Sequence, residues 1–218
     1  MLRAENIVKR YGNLIVLKSI DLIVEQGKVV SIVGASGAGK STLLHILGTL
    51  DQPDQGKVFL DDQELTSLRG NDLAQYRNRH VGFIFQFHNL LPEFTALENV
   101  CIPAFLANHS SEKEVKMRAT ELLERLGLRD RLQHKPSEMS GGEQQRTAVA
   151  RALINNPSVV FADEPSGNLD SRNADELHNL FFRLRDELNQ TFVIVTHNEE
   201  LANMADQKLE IVDGMIVE

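Results

Sequence analysis

An α/β fold, opened by an antiparallel β region and carrying a helical insertion, is predicted from three observations. An apolar run at residues 29–33 leads through a glycine loop into a helix with an apolar face. A second apolar run at residues 159–162 ends on two acids, Asp163 and Glu164. Between them, from about residue 87 to 157, the pattern turns helical. The chain has 218 residues, 42% of them hydrophobic, which suits one domain with a full core.

Taken in order, residues 2–8 and 15–24 alternate polar and apolar side chains, the period of two expected of paired strands, with a turn near Gly12 and Asn13. The glycine loop follows. Gly34, Ala35, Ser36, Gly37, Ala38, Gly39, Lys40, Ser41 and Thr42 fit GxxxxGK[ST], and Leu43, Leu44, Ile46 and Leu47 give the next helix its apolar face. Glycine lets such a loop wrap closely and turn successive N–H groups inward at phosphate oxygens. The new helix adds the positive end of its dipole. Lys40 reaches outer phosphates and Ser41 ligates Mg²⁺ in this pattern, so the loop points to a nucleoside triphosphate. Residues 57–60 and 81–85 read as further strands, the latter buried.

In the insertion, Ser111 and Glu114 form a capping box, Val115, Ala119, Leu122, Leu123 and Leu126 line one helical face, and Gly127 stops the helix. Strand character returns at residues 159–162 and 191–196, with an amphipathic helix at 174–188 between them. Residues 208–217 around Asp213-Gly214 read as a closing hairpin.

Composition excludes some functions. Lys and Arg total 23 against 31 Asp and Glu, a net charge of −8, and no basic block stands out. Phosphate backbones need clustered cations, so nucleic acid is not expected as a partner. The single cysteine, Cys101, cannot form an internal disulfide and is expected in the packing. Met1 and its neighbours lack the apolar core of a signal peptide, and no apolar run approaches the roughly 20 residues of a membrane span. The chain itself is therefore expected to be soluble and cytoplasmic, with any membrane role exerted through a partner.

Ligands of open α/β sheets sit beyond the carboxyl ends of strands. Asp163 is placed there as a second-shell or water-mediated partner of a Mg²⁺ near Ser41, and Glu164 as the base that polarises an attacking water. His197 follows the apolar strand at 192–195, where a γ-phosphate contact and an ordinary surface histidine fit equally well. Gln86 follows the strand at 81–85. Its amide either completes the Mg²⁺ shell, touches the attacking water, or simply ends the strand. Tyr11 offers a flat ring for adenine stacking, or is an ordinary turn tyrosine.

Ser140, Gly141, Gly142 and Glu143 open a helix whose packed face is Ala148, Val149, Ala152 and Leu153. Ser140 and Glu143 make a second capping box, and such a helix start with adjacent glycines is also an anion site. The run from Met139 to Arg146 resembles the signature segment of ABC-type ATPases. The resemblance orders the other sites along the whole chain. Tyr11 stands as adenine platform, the loop from Gly34 to Thr42 as Walker A, Gln86 as Q-loop, Asp163 and Glu164 as Walker B and catalytic glutamate, Leu169-Asp170 as D-loop, and His197 as switch.

It implies an ABC ATPase core of P-loop type with ATP and Mg²⁺ as cofactors, and a single nucleotide-binding domain over residues 1–218. It also implies a homodimer across two ATP molecules, each held between one glycine loop and the other chain's Ser140 helix. Residues 81–92 and 95–100, with Ser140 to Arg146 and Ala162 to Asp170, resemble the lipoprotein-release and macrolide-export branch. Within the family Gln is frequent where Glu143 stands, and Ala-Leu-Asp where Asn168-Leu169-Asp170 stands. The resemblance thus implies an ATPase subunit at the cytoplasmic face of the inner membrane, driving a separate permease. A cell-division ATPase that transmits force to cell-wall hydrolases, or an exporter of another substrate, would share these features. Phe87, Leu90, Leu91 and Phe94 offer an apolar cluster, either for the permease or for the core of the insertion.

Overall fold

The computed structural model describes residues 1–217, leaving the last position of the 1–218 domain range outside the description. Strands β1 (Leu2–Tyr11) and β2 (Leu14–Val24) pair antiparallel through the turn at Gly12-Asn13. With β4 (Gln55–Leu60) and the short β5 (Gln63–Glu64) they form a four-stranded sheet in the order β2-β1-β4-β5. The larger sheet combines β3 (Val29–Val33), β6 (Val81–Phe85), β7 (Val159–Asp163), β8 (Thr191–Val195), β9 (Gln207–Val212) and β10 (Met215–Val217). Its order is β10-β9-β3-β8-β7-β6, parallel except for the β9–β10 hairpin.

The parallel strands read as unbroken apolar runs because both of their faces are covered. Val30, Ile32, Val193 and Val195 pack with α1 (Lys40–Leu47) and the smaller sheet. Their neighbours in sequence, Val29, Phe192 and Ile194, point the other way into a core shared with the later helices. Those helices are α3 (Ala96–Ala107), α4 (Glu112–Arg125), α5 (Gly141–Leu153) and α6 (Ser171–Leu188). Cys101 is buried in this second core, and burial pushes its thiol up to about 11, so it packs and does not react.

Both anticipated capping boxes are formed, at Ser111–Glu114 and Ser140–Glu143, and a third sits at Thr95–Glu98. Helix α6 starts three residues before the expected 174. Asp170 caps it by accepting from the Asn173 N–H at 2.9 Å, ahead of its first apolar residue.

Two helices differ from the sequence expectation. Helix α2 (Gly70–His80) precedes β6 and buries none of its residues, so it lacks the apolar stripe that periodicity detects. It is tied down instead by the Tyr76 hydroxyl donating to the Leu60 carbonyl at 2.8 Å. Helix α7 (Glu199–Met204) is too short to show a period, and is capped by Asn198 accepting from the Leu201 N–H.

Candidate functional site

Four adjacent strands, β3, β8, β7 and β6, run parallel and end side by side. The glycine loop, His197, the Asp163–Glu164 pair and Gln86 therefore emerge along one edge, though up to 163 positions separate them in the chain. One strand, β8, lies between β3 and β7, and Ser41 in the first turn of the helix after the loop reaches Asp163 across its end.

The loop needs its glycines. Gly34 has φ +141°, and a Cβ there would lie 2.2 Å from the Ile211 carbonyl oxygen. Gly39, at φ +106°, is the N-cap of α1 and carries the turn from loop to helix. The Lys40 ammonium arches back over the loop, donating to the carbonyls of Gly34 (2.8 Å) and Ala35 (2.9 Å). Ser41, in the first turn of α1, donates its hydroxyl to Asp163 Oδ1 at 3.1 Å.

Burial pushes the Asp163 carboxyl above the usual carboxylate range, with the neighbouring Glu164 charge adding to the rise. His45 Nε2, one helical turn beyond Ser41, stands 3.8 Å from Asp163 Oδ2. The sequence reading missed this histidine, because nothing local in residues 43–47 singles it out from a helix face.

Glu164 has a left-handed backbone, φ +46°, which costs a non-glycine residue on the order of 1–3 kcal/mol. Its carboxylate accepts from the His197 backbone N–H at 3.2 Å, and His197 Nδ1 lies 2.8 Å from the same oxygen. The imidazole itself is largely exposed. Gln86 lies elsewhere on the edge. Its side chain donates to Asn168 Oδ1 (3.3 Å), and Asn168 donates back to the Gln86 carbonyl (3.1 Å). Its hydrogen bonds thus go to the loop after Glu164, and not to Ser41 or Asp163.

Tyr11 is exposed, and its hydroxyl donates to Asp51 Oδ2 at 2.9 Å. Asp51 Oδ1 in turn receives the Lys9 ammonium at 2.8 Å, and that ammonium lies 5.2 Å from the Tyr11 ring centroid. The Asp51 bond holds the phenol above its ordinary pKa, and the Thr42 hydroxyl of α1 sits beside it. Lys9 and Asp51 were invisible as a pair in the sequence, 42 positions apart.

At the start of α5 the Ser140 hydroxyl accepts from the Glu143 N–H (3.3 Å) and donates to Glu143 Oε2 (2.9 Å). Glu143 also accepts from the Ser140 N–H and from Arg131 Nε, each at 2.8 Å. The Ser140 N–H bond leads in holding the Glu143 carboxyl below the usual range. Gly141 and Gly142 form the first turn, with Gly142 against the Asn173 side chain. The bonds of this cap stay within α5 and Arg131, away from the chain's own glycine loop.

The sequence model of the family described as "ABC transporter" matches residues 17–167. The chain belongs to the ABC transporter family. Among ABC relatives, the lipoprotein-releasing system ATP-binding protein LolD of Cytophaga hutchinsonii is 61% identical over 217 residues, covering 100% of this chain and 99% of that protein. The protein of the same name from Acinetobacter baylyi is 50% identical, covering 100% and 97%. The ATP-binding cassette MJ0796, solved as a dimer in a post-hydrolysis state bound to ADP and Pi, superposes with a TM-score of 0.90 at 38% identity, covering 100% of this chain and 97% of that one. The ABC ATPase fold, with its antiparallel β part and its helical part, is thereby established, and ATP is the nucleotide of this family.

On the side of the ABC fold formed by α2, β6, α3 and α5 lies an open cavity of about 830 Å³. Leu50, Phe83, Pro103 and Leu106 supply apolar lining, and its charged lining residues, Arg77, Arg79 and Arg151, are all cationic. The Arg151 guanidinium also donates to the carbonyls of His88 (2.8 Å) and Asn89 (2.6 Å), tying the segment after Gln86 to the cavity wall. Phe87 is 71% exposed, and Leu91 and Phe94 are exposed as well. A buried core role for these three is therefore excluded, whereas Leu90 is half-buried. Among the described residues, no helix is long and apolar enough to cross a membrane.

Proposed function

We propose that this chain is the ATP-hydrolysing subunit of a system that releases lipoproteins from the inner membrane, working as a head-to-tail dimer on a separate permease. The observation that carries the hydrolytic part is the adjacency, at one sheet edge, of the glycine loop, the Ser41–Asp163 bond of 3.1 Å and the Glu164–His197 contact of 2.8 Å. Near-complete identity in length with the lipoprotein-releasing relatives, at 61% identity to one of them, supports the cargo. The dimeric solved cassettes support the pairing.

In this reading the loop N–H groups, Lys40 and the α1 dipole bind and orient the triphosphate, and Tyr11 carries adenine on its ring. Ser41 and Asp163 suit Mg²⁺ by their chemistry. They are hard oxygen donors, and the half-buried carboxylate has no ammonium or guanidinium bonded to it. Bound there, the ion would neutralise charge on the phosphate oxygens. Glu164 orients a water and accepts its proton, His197 holds the Glu164 carboxylate and faces the γ-phosphate, and Gln86 reports on the site through Asn168. Ser140 and the first N–H groups of α5 serve the nucleotide of the partner protomer. The working location is the cytoplasmic face of the inner membrane, held there by the permease at the cavity and the exposed Phe87, Leu91 and Phe94.

Tyr11→Ala is expected to weaken ATP binding roughly tenfold, since stacking of a base on an aromatic ring contributes about 1–3 kcal/mol. Fluorescence titration with a labelled ATP analogue measures it, and unchanged affinity would remove Tyr11 from the nucleotide site.

Leu91→Asp tests the membrane side. Co-purified with its permease in a lipid environment, the wild-type complex is expected to show ATP hydrolysis stimulated by an acylated lipoprotein. The variant should lose that stimulation and keep the basal rate of the isolated chain. A wild-type complex indifferent to lipoprotein would count against the cargo, and a variant that stays coupled would count against the surface.

A further inference from the structure

Glu164 keeps a strained backbone conformation, and such a conformation persists only where its surroundings over-determine it. The constraints are on the turn that follows it. The Glu164 N–H donates to the Val195 carbonyl at 2.9 Å, and the Gly167 N–H closes back on the Glu164 carbonyl at 3.0 Å. Two side chains from two different helices then fix the residues between. Gln145 of α5, fully buried, donates its amide to the Pro165 carbonyl at 2.7 Å and reaches the Phe85 carbonyl at 3.5 Å. His178 of α6, 2% exposed, is hydrogen-bonded through Nε2 to the Ser166 hydroxyl at 2.9 Å.

Gln145 is a costly residue at that place. Its Oε1 is buried with no hydrogen-bond partner, a penalty an apolar side chain of the same size would avoid. What the amide provides in return is a bridge between the ends of β6 and β7, the strands that deliver Gln86 and Glu164. Burial holds the His178 imidazole below its ordinary pKa.

We propose that Gln145 and His178 are positioning residues for ATP hydrolysis: by clamping Pro165 and Ser166 from two helices they hold Glu164 in its left-handed conformation, with its carboxylate on His197. Neither touches nucleotide. Gln145 lies five residues beyond Ser140 on the same helix, so the helix that serves the partner's ATP also supports the base of its own protomer. The proposal rests on the reading of Glu164 as the base.

Steady-state ATP hydrolysis by the full chain tests it. Gln145→Leu and Ser166→Ala are each expected to lower kcat roughly tenfold while KM for ATP stays within about twofold, because a small misplacement of a reacting group acts on the chemical step. His178→Leu should match Ser166→Ala, and the double variant should be no slower than the slower single one, since both remove the same bond.

Ser166 is only half-buried, so its variant decides the matter if Gln145→Leu does not fold. Unchanged kcat in Ser166→Ala, a loss confined to KM, or additive losses in the double variant would overturn the proposal. Glu164→Gln, measured alongside, separates the two layers. If it hydrolyses normally the base assignment fails, and if it alone is inactive only the clamp fails.

Discussion

Glu164→Gln yields a chain that binds Mg-ATP but hydrolyses it at least 10²–10⁴ times more slowly, the range a positioned general base typically contributes. The substitution is close to isosteric and leaves the local structure intact. A glutamine carbonyl oxygen still accepts from the His197 backbone N–H, at 3.2 Å in the native chain, and glutamine meets the same φ of +46° with the same side-chain bulk. What disappears is the capacity to take a proton from water.

With hydrolysis blocked, ATP remains at the interface and the dimer it bridges accumulates. Two chains of net charge −8 repel, though over a Debye length of about 8 Å that repulsion is screened. Contacts through the nucleotide must then supply the attraction, and removal of ATP should return monomers. Light scattering with and without Mg-ATP, alongside single-turnover hydrolysis, measures both. A variant that stays monomeric with Mg-ATP, or turns over at the native rate, would end the assignment.

Lys40→Ala is expected to weaken ATP binding by roughly 10–100-fold, because hydrogen bonds to a charged group contribute about 1.5–3 kcal/mol each. The fold should not suffer. The ammonium's bonds in the chain are to Gly34 and Ala35 carbonyls of an exposed loop, and water takes over both. Equilibrium dialysis with ATP and a thermal melt distinguish the cases. Loss of affinity with an unchanged melting temperature supports the phosphate role, whereas an unchanged affinity would place the lysine outside the nucleotide site.

How much was legible in the sequence follows from how local each signal is. The glycine loop, the two capping boxes at Ser111 and Ser140 and the Gly12-Asn13 turn are written within a few residues, and all four were readable. So were the strands behind the apolar runs at residues 29–33, 159–162 and 192–195, because burial on both faces leaves an unmistakable run. Helix α2 was not readable, since a helix that buries nothing carries no stripe. The supports of the site were also hidden. Lys9 and Asp51 behind Tyr11, His45 beside Asp163, and Gln145 beneath Pro165 are each ordinary where they stand in the chain. They acquire meaning only when the strand order folds distant segments onto one edge. The branch, by contrast, was legible through resemblance, because it lies in long contiguous runs such as residues 81–92.

A serine carries one hydroxyl proton. In Ser140 that proton is committed to Glu143, since an ionised carboxylate can only accept, while the oxygen lone pairs serve the Glu143 amide. An arriving anion needs the same proton, so it must take it from Glu143, which is left with Arg131 and the Ser140 amide to satisfy it. On the proposed pairing, docking of the opposite protomer's γ-phosphate would thus be an exchange of one acceptor for another at a single rotor, with the helix start keeping its geometry.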